Sequence, residues 1–223
     1  MKSEGVTMKN CLSVLVLIAL LVMPGVAMSA QDSGPYFGIQ GGGVLLDDIE
    51  NKDNEGTYNY SFDPGYYGAV VIGAHLDKHS SLGEGRLEVE VAYRANDLDE
   101  MDFEEGSEAA GGEMTVMSAM FNSIAEYRGR YIWVPYLGAG AGWAMVDLKD
   151  ATVGGQAVAD ADDNAFCYQF MTGFVAEVSS AVNFDLGYRY MRTLDLEFED
   201  VQGRSVDSEY SSHTVSLGLR IDF

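Results

Sequence analysis

The sequence predicts an all-β fold, an eight-stranded antiparallel up-and-down transmembrane β-barrel, and three observations carry that expectation. Eight segments alternate apolar with small or polar residues over stretches that begin at 36–45 and end at 210–223. Such runs are long for a soluble strand but match a tilted membrane strand of about 9–11 residues. The connections between them alternate long and short, the asymmetry of membrane barrels. The first thirty residues read as an export signal, after which a single cysteine, Cys167, remains, so no intrachain disulfide can staple the chain.

In the leader, Lys9 and Asn10 precede an apolar core at 12–23, then Pro24 and Gly25, then the small residues Ala27, Ser29 and Ala30. This pattern predicts a signal peptide over 1–30, cleaved after Ser29 or Ala30. The apolar core is too short to span a bilayer as a helix. Met8 opens a more usual leader than Met1, because Glu4 lies between them. The whole chain has 13 Lys+Arg against 35 Asp+Glu and a formal charge of -22. Losing Lys2, Lys9 and Glu4 leaves 11 basic and 34 acidic residues. An acidic chain of this kind repels phosphate, which excludes nucleic acid as a partner.

The strands are expected at 36–45, 65–76, 86–95, 114–127, 133–146, 165–178, 181–194 and 210–223. In the last, Val215, Leu217, Leu219, Ile221 and Phe223 share one face, and Thr214, Ser216, Gly218, Arg220 and Asp222 the other. In the seventh, Phe184, Leu186, Tyr188 and Tyr190 oppose Asn183, Asp185, Gly187 and Arg189. In the third, Leu87, Val89, Val91 and Tyr93 oppose Glu88, Glu90, Ala92 and Arg94. A membrane barrel turns the apolar faces outward. Glycines at 38, 42, 138, 140, 142, 173, 187 and 218 then fall on the inward face, where a narrow lumen needs small side chains. Aromatic residues gather near strand ends, with Phe37, Tyr127, Trp133 and Phe223 at one rim and Tyr67, Tyr93, Trp143, Tyr168 and Tyr190 at the other. They are expected at the two membrane interfaces.

Loops are expected at about 46–64, 96–113, 147–164 and 195–209, within a barrel domain spanning 31–223. They carry 25 of the 34 acidic residues against Lys52, Lys149 and Arg204. With both termini on the short-turn side, the long loops face the cell exterior.

The order GPYFGIQGGG, FNSIAEY, VPYLGAGAGWA, LGYRYMRT and HTVSLGLRIDF along residues 34–223 resembles the eight-stranded outer-membrane barrels of the OmpA-like transmembrane and opacity-type surface-antigen superfamily. The resemblance implies a Gram-negative outer membrane, with lipid and lipopolysaccharide as surroundings. It also implies that the barrel-assembly machinery reads the terminal aromatic, here Phe223. The loops are more acidic than that family leads one to expect.

The inward face gathers Glu88, Glu90, Glu126, Glu177 and Asp185 with Arg94, Arg189 and Arg220. Charges in a narrow lumen must be paired or hydrated. Either a plug of salt bridges closes it, or the excess carboxylate lines a narrow cation-preferring pathway. Residues 160–164 repeat carboxylates at short spacing, but a hand-type calcium loop fails because its sixth position is Ala165 and its twelfth Met171. Acidic loops could still bridge through divalent cations to lipopolysaccharide phosphates. No defined metal site and no cofactor are expected. His213, Ser216 and Glu209 supply the residue types of a lipid hydrolase, yet alternation turns His213 outward and Ser216 inward, so no catalytic residue and no enzyme is expected. The first expectation for function is a non-enzymatic surface protein that supports envelope integrity and presents loops for adhesion to a host or surface ligand, or as a surface antigen. The alternatives are a narrow cation-preferring pore and a soluble periplasmic lipocalin-like carrier.

Overall fold

The computed structural model describes residues 34–223 apart from 48, 54–55, 78–83, 104–105, 128–131, 154–155, 195, 200–204 and 209. The expected signal peptide and the basic residues Lys78, Arg128 and Arg130 of the short turns lie outside the described residues. Twelve strands follow one another: β1 (Pro35–Leu46), β2 (Ile49–Asp53), β3 (Gly56–Phe62), β4 (Gly65–Asp77), β5 (Glu84–Phe103), β6 (Gly106–Glu126), β7 (Trp133–Val153), β8 (Gln156–Glu177), β9 (Val182–Thr193), β10 (Leu196–Glu199), β11 (Ser205–Ser208) and β12 (Ser211–Asp222). Eight of them close into a barrel in the order β1, β4, β5, β6, β7, β8, β9, β12 and back to β1, each antiparallel to its neighbours. The closing seam is in register from Tyr36↔Asp222 to Leu46↔Ser212. Beyond it the backbone N–H of Phe223 donates to the carbonyl of Pro35 at 3.0 Å. Closure leaves no open edge within the span, as a bilayer demands.

Alternation decides what the barrel shows to lipid. Outward along the barrel strands stand residues such as Ile39, Val70, Phe121, Leu137, Phe170, Leu186 and Leu217, each 44–69% exposed. Along β5, β7 and β9 the described outward positions first carry charge towards the far rim, at Asp97, Asp147 and Arg192, and β12 carries His213 there. From there to Phe223, β12 runs ten residues, a rise of about 26 Å at a tilt near 40°. That height suits the apolar band of an outer-membrane barrel. A lipocalin-like carrier needs these apolar faces turned inward, so the arrangement counts against it.

The long connections correct one expectation. The segments read as loops are β-ribbons: β5 and β7 run six residues past Asp97 and Asp147 at the rim, paired with β6 and β8, β2–β3 attaches through β3 to β5, and β10–β11 forms its own hairpin. Their backbone groups pair with each other, which stabilises them beyond the barrel wall. In the β7–β8 ribbon, hydrophobic alternation does not reveal the strands, whereas β3 alternates Tyr58, Tyr60 and Phe62 with Asn59 and Ser61. In β8, for example, Ala157, Ala159, Ala161 and Asp160, Asp162 alternate without a strong apolar side. Register shifts gather where ribbon leaves barrel, between Ser61 and Phe62, Asp97 and Glu100, Gly111 and Glu113, and Leu148 and Ala151. Bulges there re-aim the strands. Gly112 sits in one of them at φ 148°, a conformation a side chain disfavours.

Candidate functional site in the lumen

The lumen is filled in layers, and sequence position along each strand decides which layer a residue joins. Nearest the short turns is a charged layer centred on Arg86 of β5. Arg86 donates to Glu126 Oε1 at 2.5 Å and lies 3.6 Å from both Glu88 and Asp185. Its guanidinium stands over the rings of Tyr36 and Tyr136, 5.8 and 5.3 Å from their centroids. Arg220 donates to the same Glu126 oxygen at 3.0 Å and approaches Asp222 at 3.3 Å. The hydroxyls of Tyr36 and Tyr136 donate to Glu88 and Asp185, each at 2.8 Å. Glycines make room for these rings: a Cβ on Gly73 would lie 2.3 Å from Cζ of Tyr36, and one on Gly187 2.6 Å from the Tyr136 hydroxyl.

The middle layer is built on Arg189, which pairs with Glu90 and donates to Gln40 Oε1 at 2.5 Å. Asn122 donates to Glu90 at 3.2 Å and Gln169 to Asn122 at 2.8 Å. Arg94 donates to Ser118 at 3.0 Å and, like Arg189, stands over the Tyr67 ring, at 5.0 and 5.7 Å from its centroid. Above this, towards the ribbons, the lumen turns apolar, with Met114, Val116, Met120, Val146, Cys167, Met191 and Tyr210 buried together and Leu46 and Phe62 packed against them. The Cys167 thiol lies 3.1 Å from Met120 Sδ. This apolar layer was not expected from the polar inward faces of the third, seventh and eighth barrel strands. It comes from the upper, inward positions of β5 to β9, where Met, Val and Leu stand.

Of the eight charged residues assigned to the lumen, Glu88, Glu90, Arg94, Glu126, Asp185, Arg189 and Arg220 are buried there. Glu177 shares their parity but is exposed at the short-turn mouth, because it closes β8 where the wall ends. Tyr67 requires a correction: it is 3% exposed and faces the lumen, while its neighbour Tyr66 is 59% exposed and meets Tyr93 at 6.1 Å. Two adjacent tyrosines leave parity undecided. Phe37, Tyr127, Trp133 and Phe223 are exposed at the short-turn rim, Trp143 is exposed at the other, and Tyr93, Tyr168 and Tyr190 are half-buried there. The sequence reading missed Arg86, His75 and Glu84, although Arg86 shares the inward parity of Glu88 and Glu90.

The void among Gly38, Gln40, Arg86, Glu88 and Asp185 measures about 10 Å³, space for no more than one water. A larger cavity of about 300 Å³ lies at the short-turn mouth, lined by His75, Glu84, Glu177, Asn183 and Asp222. His213 is turned outward, 3.1 Å from Asp47 and 2.6 Å from the Tyr188 hydroxyl, whereas Ser216 is buried inside. Ser211, two residues from His213 on the same face of β12, donates to Asp47 at 2.6 Å.

A closed antiparallel barrel with an uncharged lipid-facing band and a layered lumen defines an outer-membrane β-barrel protein. The chain belongs to the outer membrane protein beta-barrel domain family, whose model matches residues 14–223. Among solved structures it is similar in fold to the outer membrane protein OprG from Pseudomonas aeruginosa, at 11% identity over 84% of this chain and 96% of that one, with a TM-score of 0.53. It also aligns with Neisserial surface protein A at 18% identity over 84% and 97% of the two chains, TM-score 0.49. The outer membrane protease OmpT from Escherichia coli aligns at 10% identity over 85% and 97%, TM-score 0.48. No curated protein matches the chain in sequence.

Proposed function

We propose that this is a non-enzymatic outer-membrane barrel with a closed lumen that acts through its acidic ribbons, supporting the envelope and engaging a surface ligand outside the cell. The observation that carries this reading is the filled lumen: a salt-bridged layer, an arginine–tyrosine layer and an apolar layer succeed one another along the axis. An ion crossing it would have to displace Arg86 and Arg189 from carboxylates and then cross a methionine-lined layer, where desolvation is costly. With transport closed off, the ribbons remain as the working surface. Their acidic bias favours a basic ligand, or lipopolysaccharide phosphates bridged through divalent cations. In this reading residues 1–30 direct export, and Phe223, exposed beside the barrel seam, is the signal for assembly.

Single-channel recording of residues 31–223 refolded into a planar bilayer tests the proposal. A barrel that shows heat-dependent gel mobility and stays electrically silent is the expected result. Reproducible cation-selective steps that vanish in Glu88→Gln and Glu126→Gln would replace it with the pore reading.

A further inference from the structure

We propose that the short-turn mouth of the barrel binds one divalent transition-metal cation, held by His75, Glu84 and Glu126. Glu84 opens β5 opposite Glu126 at the end of β6, and His75 is paired with Arg86 across β4 and β5. Those registers put all three side chains on the inward face, at 1%, 3% and 1% exposure. One ligand atom from each lies within 4.8 Å of the others. An imidazole with two carboxylates is a borderline nitrogen and oxygen donor set that suits zinc, with a fourth position for water.

Two further observations point to a cation. The first is His75 itself, a buried ring neither of whose nitrogens makes a hydrogen bond. Its Nδ1 stands 2.8 Å from Glu84 Oε1 but out of line for an N–H donor, and its Nε2 lies 3.6 Å from Asp222 Oδ1. Metal ligation through Nδ1 would satisfy that nitrogen, with Asp222 behind Nε2 fixing the ring's tautomer. Ligands of tetrahedral zinc at about 2.0–2.1 Å from the metal stand roughly 3.3 Å apart, so Glu84 would retreat by about half an ångström while Glu126, within 4.8 Å, closes in. The second is charge. Among the described residues, five carboxyl groups in this layer surround two guanidiniums and one imidazole, so acidic groups outnumber basic ones. The cavity of about 300 Å³ bordered by His75 and Glu84 gives a hydrated ion its way in. The site stands whether or not the lumen conducts.

Protein refolded in detergent, with the barrel verified by heat-dependent gel mobility, is titrated with Zn²⁺ by calorimetry and its metal counted after dialysis against a zinc buffer. One zinc per chain is expected. Affinity should fall at least tenfold in His75→Ala and in Glu84→Gln, and stay unchanged in Asp47→Asn at the opposite rim. Co²⁺ loading should give the visible absorption of a four-coordinate ion, lost in His75→Gln, which keeps more of the ring's volume. No stoichiometric zinc, or zinc held equally by both His75 and Glu84 variants, would place any binding on the acidic ribbons and overturn the proposal. Should the variants fail to fold, the ring resonances of His75 in the unaltered protein decide: a zinc-dependent shift supports the site, and an unmoved signal refutes it.

Discussion

Arg86 shows how much a single inward residue organises. Its guanidinium serves Glu126, Glu88 and Asp185 and lies over two tyrosine rings. Arg86→Ala would leave those carboxylates buried without their shared cation, a loss of about 3–5 kcal/mol by the cost of breaking buried pairs. Urea unfolding in lipid vesicles measures it, and Arg86→Ala combined with Glu126→Gln should lose less than the two separate changes added together. At Gly73 the limit is space rather than charge. A Cβ there meets the Tyr36 ring at 2.3 Å and the Leu87 carbonyl oxygen at 2.5 Å, and backbone cannot yield cheaply. Gly73→Ala should cost about 1–3 kcal/mol in the same assay, whereas Gly68→Ala, with nothing within 4 Å, should stay within about 0.5 kcal/mol. At this scale the sequence was legible where charged and apolar residues alternate cleanly, as from Leu87 to Arg94. It was ambiguous at Tyr66 and Tyr67, where both parities carry the same side chain. His75 was legible in parity but not in company, because Glu84 and Glu126 come to it from other strands.

The four ribbons extend strand pairing beyond the lipid-facing wall. β7 and β8 pair from Trp133↔Ala176 at the mouth to Val153↔Gln156 at the ribbon tip. The lower part is held by lipid outside and packing inside, while in the upper part the described pairing is that of the two strands with each other. Replacing 150–159 by a two-residue Asn-Gly turn should therefore keep heat-dependent gel mobility and change unfolding free energy by less than about 1 kcal/mol. Loss of the folded band would mean that the ribbon supports the barrel. In β7 and β8 the acidic, Ala- and Gly-rich composition reads as loop because it carries little apolar alternation to reveal a period of two. The bulges at the barrel rim were equally hidden, since a one-residue shift leaves no mark in composition.

The molecule as a whole is a bilayer-matched wall around a packed interior. Ala139, outward and exposed in the middle of the lipid-facing run of β7 between Trp133 and Asp147, should not tolerate charge. Ala139→Arg is expected to cost about 2–4 kcal/mol in vesicle unfolding, and much less in short-chain detergent that can deform around the side chain. An equal, negligible cost in both media would place this face away from lipid. What the sequence by itself determined was the wall: strand number, inward and outward faces, and the alternation of short and long connections. These follow from a period of two and from turn spacing, both local properties of the chain. Tertiary structure alone decided what fills the interior. Glu90 meets Arg189 across 99 residues, and Glu84 meets Glu126 and His75 only when β4, β5 and β6 lie side by side. The layer in which an inward residue sits depends on strand stagger around a closed barrel, and stagger is fixed by closure, which no local pattern encodes.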